Sequence, residues 1–350
     1  MRFVRLSNNC GLKVSIISIG TWHLPRLPER DEAGAYRIDY EEFKRILKHA
    51  YDEGVIFTDT ANRYHGGITP VPLSHVGNAE RLLGRAVRDL GLEREELVIA
   101  TKVAGRMSPG PNGRGLSRKH VMWQIKESLR RLQMEYVDVY YAHMFDPETP
   151  KLETLTTFND LVRQGLVRYV GMSNIPAHHL VEYVMLAESR GLEPIVVLQY
   201  RYNILDRRIE EDIIPIAKRF GVGITAYSPL AQGLLTGKYL DFKERRWVVP
   251  PLSRGTYQDF SKFFTRENLE VMLRLAELAR EKGVTLAQLA IAWVINMGEK
   301  VWGMPIVPIV GVTKLKHLEE AVEASNVSLT HDDIKAVEEA VKAGRPRENP

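Results

Sequence analysis

The feature that most constrains this chain is an alternation. Along almost its whole length, short β-branched apolar runs alternate with amphipathic stretches at helical spacing. Runs at 14–19, 55–58, 97–100, 136–141, 167–171, 195–199, 223–226 and 306–310 read as strands. Each is followed by a helical pattern, at 40–53, 79–90, 118–132, 152–163, 176–190, 209–220, 266–282 and 315–324. Strands covered by helices on both faces are apolar throughout, and Ile195-Val196-Val197-Leu198 has no polar position. Eight β→α units predict an α/β fold, a (β/α)8 TIM barrel, because a doubly wound sheet usually needs fewer strands. Residues 1–350 then read as a single barrel-type domain. Runs at 3–6 and 12–14, separated by Ser7-Asn8-Asn9-Cys10-Gly11, predict an N-terminal β-hairpin (1–14) that plugs the barrel bottom. Patterns at 286–296 and 332–341 have no strand of their own and read as two extra helices. Long Gly/Pro-rich loops at 103–115 and 229–265 follow strands three and seven, and loops of that length in a compact domain are usually functional.

Composition narrows the function classes. Lys+Arg 48 against Asp+Glu 44 leaves a net charge of +4 with no basic run of five, which argues against a nucleic-acid partner. Cys10 is the single cysteine, so a disulfide framework and Cys-based zinc or iron–sulfur sites are excluded. The most apolar stretch, 284–298, is too short to span a bilayer. The N-terminus, with Arg2, Arg5, Asn8 and Asn9, does not read as a signal peptide. A soluble cytoplasmic protein without a membrane partner is expected. His65 and His75, in the 65–78 stretch, lack a third ligand at fixed spacing, so no metal is expected.

The polar residues are not scattered. Asp59, Lys102, His143, Ser173, Gln199 and Tyr227 each fall at or just past the end of a predicted strand, the face on which barrels build their sites. Buried charges must pair or neutralise, so Asp59 and Lys102 are expected as an ion pair. With Tyr64 and His143 they would converge on one pocket suited to proton donation. A free phenol has a pKa near 10, and a nearby ammonium is expected to lower it. A phenol so tuned can protonate a carbonyl oxygen while hydride arrives at the carbon.

Several segments follow in order: Ser18-Ile-Gly-Thr-Trp22, Phe57-Thr-Asp-Thr-Ala61 with Tyr64, Ala100-Thr-Lys102, and Tyr136-Val-Asp-Val-Tyr-Tyr-Ala-His143. Gly165-Leu-Val-Arg-Tyr-Val-Gly-Met-Ser-Asn174, Ala226-Tyr-Ser-Pro-Leu-Ala-Gln-Gly233 and Ile309-Val-Gly-Val-Thr313 complete the series. It resembles the aldo-keto reductase superfamily, in the branch of the potassium-channel β-subunits and bacterial and archaeal reductases. The resemblance implies NAD(P)H-dependent reduction of aldehydes and ketones to alcohols. Tyr64 would be the general acid, Lys102 would lower its pKa, Asp59 would hold Lys102, and His143 would orient the carbonyl. Trp22, Tyr64 and His143 would face a small-molecule carbonyl substrate.

The same resemblance implies a nicotinamide dinucleotide lying extended across the barrel mouth. Gly20, Thr21, Trp22 and Asp59 would border it, and Ser173, Asn174 and Gln199 would hold the carboxamide. Tyr227 would stack on the nicotinamide, and Ser228, Pro229, Leu230, Ala231, Gln232, Gly233 and Lys238 would cradle the pyrophosphate. Gly311, Thr313, Lys314, His317, Glu320 and Arg254 would form the adenosine end, whose cations imply NADP(H) in preference to NAD(H). Family members commonly carry Gln or Arg where this chain has His317, and Asn where it has Ala321. Two other readings share the fold. One is a cofactor-binding regulatory subunit with little turnover; the other is a Schiff-base aldolase using Lys102. His143 and Tyr227-Ser-Pro-Leu favour the reductase.

Overall fold

The computed structural model describes residues 1–250, 253 and 263–344. The chain begins with β1 (Phe3–Arg5) and β2 (Lys13–Ser15), paired antiparallel with Val4 opposite Val14. Next come β3 (Ser18–Gly20), a second hairpin of β4 (Arg26–Arg30) and β5 (Tyr36–Ile38), then α1 (Tyr40–Asp52) and β6 (Phe57–Asp59). They are followed by α2 (Asn78–Asp89), β7 (Val98–Val103), α3 (Arg118–Leu132), β8 (Val137–Ala142) and α4 (Lys151–Arg163). The succession continues with β9 (Val167–Ser173), α5 (Ala177–Ser189), β10 (Ile195–Arg201), α6 (Ile213–Phe220) and β11 (Gly223–Tyr227). A short pair, β12 (Leu240–Asp241) and β13 (Arg246–Trp247), precedes α7 (Arg266–Glu281), α8 (Leu286–Asn296), β14 (Ile306–Gly311), α9 (Leu315–Ala324) and α10 (His331–Gly344).

Strands β3, β6, β7, β8, β9, β10, β11 and β14 close into a parallel barrel in chain order. The predicted TIM barrel is the architecture found. All residues of β7 and β8 are buried, as a strand walled by helices outside and neighbouring side chains inside requires. At the bottom, Leu6 and Val14 of the N-terminal hairpin pack with Phe57, Val98, Val139 and Val307, so the hairpin does plug that end.

Three differences from the sequence reading bear on the architecture. The first barrel strand is Ser18–Gly20, not 14–19; residues 13–15 belong to the hairpin, and Ile16 and Ile17 are buried between the two. Residues 209–220 split into a single 3-10 turn, Arg208–Glu210, and α6. A continuous helix would carry Pro215 in its interior, whereas a start at Ile213 leaves it in the first turn, where its missing N–H costs nothing. Lastly, α8 lies against β14 and α9, while α7 lies on α10. All eleven residues of α8 are buried, so it needs cover on every side; α7 is amphipathic and needs one. The two extra helices are therefore α7 and α10. Among the described residues no helix is long and apolar enough to cross a membrane.

Candidate active site

Parallel register brings the strand ends to one level. Gly20 sits beside Asp59, Lys102 beside Tyr141, and Gln199 beside both Ser173 and Thr225. Asp59 ends β6 and Lys102 lies one residue before the end of β7, both buried. Lys102 Nζ donates to Asp59 Oδ2 at 2.5 Å and to the Thr60 carbonyl at 2.7 Å. Gln199 Nε2 donates to the other carboxylate oxygen of Asp59 at 2.7 Å. Burial pushes the Asp59 carboxyl up and the Lys102 ammonium down, while their mutual attraction opposes both shifts. The expected ion pair is present, with further hydrogen bonds on both partners.

Tyr64 stands on the loop after β6. Its carbonyl accepts the Ala79 N–H at the start of α2, which anchors the loop. The phenol oxygen lies 3.4 Å from His143 Nε2, and the Trp22 ring meets Tyr64 edge-on at 4.6 Å between centroids. Lys102 Nζ lies over the Tyr64 ring, 4.8 Å from its centroid.

The net shift of the Tyr64 phenol is upward, opposite to the lowered value expected from the sequence. Burial, with the negative charge of Asp59 and the neighbouring Tyr227, holds the phenol well above its ordinary value. Loss of water is the largest of these causes. The Tyr64 oxygen is thus a protonated donor throughout the physiological range. Burial and the Lys102 charge hold His143 down at about 3, so its imidazole is neutral. His143 Nδ1 is buried without a hydrogen-bond partner among the described residues.

The residues assigned to the nicotinamide end form one hydrogen-bonded chain. Tyr227 Oη donates to Asn174 Oδ1 at 3.0 Å, and Asn174 Nδ2 to Ser173 Oγ at 2.9 Å. Ser173 Oγ donates to the Gln199 carbonyl at 2.8 Å, and Gln199 reaches Asp59. Thr21 joins through its N–H, 2.9 Å from the Asp59 carbonyl. Asn174, Ser228, Ala231 and Gln232 all have left-handed φ, between 46° and 60°. Such backbone in non-glycine residues clusters where a ligand is clamped. A Cβ built on Gly233 would lie 2.9 Å from Lys238 Nζ, which places that cation against the 228–233 turn. Half-buried backbone of this shape beside an ammonium suits a pyrophosphate, so these residues fit the implied dinucleotide.

At the opposite rim, His317 is held below its usual pKa by burial and feels the charges of Lys314, Lys238 and Lys316. Thr313 Oγ1 lies 3.3 Å from His317 Nδ1. Glu320 accepts from Thr285 Oγ1 at 2.5 Å, and Ala321 is buried in an apolar cluster with Ile291 and Ile295. The Leu315 N–H, at the α9 N-terminus, is already taken by Glu42 Oε1 at 3.2 Å. Arg254 lies outside the described residues, as does most of the 251–262 part of the long loop. His65 and His75 are in hydrogen bonds that tie the 65–78 stretch down: His65 Nδ1 accepts from Gly67 N, and His75 Nε2 meets Asp31 Oδ2 at 2.7 Å.

Sequence reasoning missed three neighbours of the site. Tyr141 lies with its ring 5.9 Å from Lys102 Nζ. Arg201, at the end of β10, lies 5.7 Å from the Tyr227 ring and lines a cavity of about 560 Å3 with Asn203, Ser228, Gln232 and Asn268. Glu80 lies behind Lys102 and adds a favourable charge to it. Strand-end position marked Arg201; nothing local marks the other two.

A family model described as the Aldo/keto reductase family matches residues 16–342. A probable voltage-gated potassium channel subunit beta of Arabidopsis thaliana is 38% identical over 288 residues, covering 81% of this chain and 80% of that protein. The L-glyceraldehyde 3-phosphate reductase of Escherichia coli K12 is 32% identical over 349 residues, covering 97% and 92%. An aldo-keto reductase of Alternaria alternata is 29% identical over 365 residues, covering 97% and 92%.

Proposed function

This chain belongs to the aldo/keto reductase family, and we propose that it reduces small aldehydes or ketones to alcohols with NADP(H), Tyr64 giving the proton. In that reading residues 1–350 work as one barrel domain, in the cytoplasm. The observation that carries it is the buried Asp59–Lys102 pair beneath a Tyr64 hydroxyl 3.4 Å from a neutral imidazole. When bound, the reduced nicotinamide supplies a hydride to the carbonyl carbon.

The side chains manage the oxygen. With a proton on Nε2, His143 and Tyr64 donate to the same carbonyl oxygen and orient it. As charge develops there, the oxygen approaches an alkoxide, a base far stronger than a phenolate. A phenol raised above its usual value still gives up its proton to so strong a base, and it does not ionise beforehand. Lys102, held by Asp59 and Thr60, keeps positive charge beneath the ring while the phenolate forms.

The test is oxidation of NADPH and NADH against a panel of aldehydes, ketones and dicarbonyls, with Tyr64→Phe alongside. Turnover should fall by about 10²–10⁴ in Tyr64→Phe, while cofactor binding, followed by protein fluorescence, stays intact. Retained turnover in that variant overturns the assignment of Tyr64. Cofactor binding without turnover in the wild type would leave the regulatory-subunit reading instead.

A further inference from the structure

Behind the strands that carry Asp59 and Lys102 lies a second buried charge pair. Glu80, in the first turn of α2, and Arg131, in the last turn of α3, are 0% and 6% exposed. Arg131 Nη1 donates to Glu80 Oε2 at 2.5 Å. Proton and hydride transfer use neither residue. A buried pair of this kind is often no more stable than two apolar side chains of the same volume, so folding alone does not account for it.

Its contacts lead to the site from two directions. Thr101 Oγ1 donates to Glu80 Oε1 at 2.6 Å, and Thr101 is joined by a peptide bond to Lys102. Arg131 Nη2 reaches Gln124 Oε1 at 3.5 Å, and the same oxygen accepts Asn62 Nδ2 at 3.2 Å. The Asn62 N–H in turn donates to the Lys102 carbonyl at 3.3 Å. The result is a closed ring: Lys102, Asn62, Gln124, Arg131, Glu80, Thr101 and back to Lys102. Asn62 stands two residues before Tyr64. The Arg131 side chain also packs under Gly77, where a Cβ would lie 2.4 Å from its Cδ; Gly77 has a φ of 77°, a second reason for glycine there. Gly77 is the N-cap of α2, whose Ala79 N–H holds the Tyr64 carbonyl. The negative charge of Glu80 also favours the protonated form of Lys102 against the effect of burial.

We propose that Glu80 and Arg131 are positioning residues: through Thr101 and Asn62 they lock the Tyr64 loop to the Lys102 strand. This rests on the reductase reading above. Two variants test it. Thr101→Val breaks one link with its shape nearly kept. Glu80→Leu with Arg131→Met removes both charges together, so that neither is left buried alone. Both should melt close to the wild type and bind NADPH with unchanged affinity. Turnover should fall about tenfold in Thr101→Val and up to ~10²-fold in the double variant, with KM little changed, as for groups displaced from reacting geometry. Folded variants with wild-type kcat, or with only KM altered, overturn the proposal. If the double variant does not fold, Thr101→Val alone decides. Tyr64→Phe run in parallel separates the two failures: if it too keeps full turnover, the reductase reading has failed, and if it alone loses turnover, only the role of Glu80 and Arg131 has.

Discussion

The two ends of the barrel mouth handle charge in opposite ways. At the Tyr64 end Lys102 is buried and matched by Asp59, and Arg131 by Glu80, with His143 neutral. At the rim formed after β11 and β14, Lys238, Lys314 and Lys316 are exposed and surround His317. A buried pair acts at short range in a poorly screened medium and cannot adjust when one partner is lost. Exposed lysines are screened, mobile and individually weak. The contrast suits chemistry at one end, which needs fixed geometry, and the holding of a polyanion at the other, which does not.

The sharpest way to break this contrast is to unpair the buried end. Lys102→Met leaves Asp59 dry and without its cation, with only the Gln199 amide to meet it, so that it must either stay charged at high cost or take up a proton. We expect a loss of ~3–5 kcal/mol in stability by chemical denaturation, and turnover near the Tyr64→Phe level. The loss should not depend on salt. An unchanged denaturation midpoint would mean that water reaches Asp59, and the contrast would fail at its stronger side.

The neutral imidazole gives a smaller effect with a definite sign. The folded pKa of His143 lies at about 3, below the ordinary value for histidine. Keeping it neutral is therefore no burden above pH 6.5, and stability is lost as pH falls below 6.5 toward that folded value, because only the unfolded chain takes the proton. At pH 5 the loss amounts to about 2 kcal/mol. His143→Gln should accordingly lose less stability than the wild type between pH 7.5 and 5. An equal loss in the two proteins would show that His143 titrates normally in the fold.

What the sequence reveals about these two ends follows from how local each signal is. Buried parallel strands announce themselves as unbroken apolar runs, and capped helices by their termini; α3 and α9 lie on the predicted residues, 118–132 and 315–324. Strand-end position alone pointed to Asp59, Lys102, His143 and Gln199, which the fold brings together. The first barrel strand was misplaced because Val14, Ser15, Ile16 and Ile17 are all buried, so hairpin and barrel merge into one apolar run. The barrel helix after β11 was misassigned because periodicity reports an amphipathic face but not what covers it. The Glu80–Arg131 pair, 51 positions apart, has no sequence signature at all. The Tyr64 phenol lies above its ordinary value because burial, the largest cause, together with the charge of Asp59, depends on packing that no local sequence signal reports.

The smallest expected effect belongs to the exposed end and concerns the 2′-phosphate that distinguishes NADP(H) from NAD(H). Lys314 and Lys316 are the exposed cations of the α9 end of this rim, with Thr313 and His317 in contact beside them. Glu42 works against them, since its carboxylate already occupies the Leu315 N–H of α9. The preference should therefore be modest, and its parts should separate. Lys314→Ala should weaken NADPH binding severalfold and leave NADH binding nearly unchanged, narrowing the gap between their dissociation constants. Glu42→Gln should widen it by removing a like charge. Added salt should narrow it in the wild type by screening, while the stability loss in Lys102→Met stays as it was. Equal dissociation constants for NADPH and NADH at low salt would remove the electrostatic role of this rim without touching the buried end.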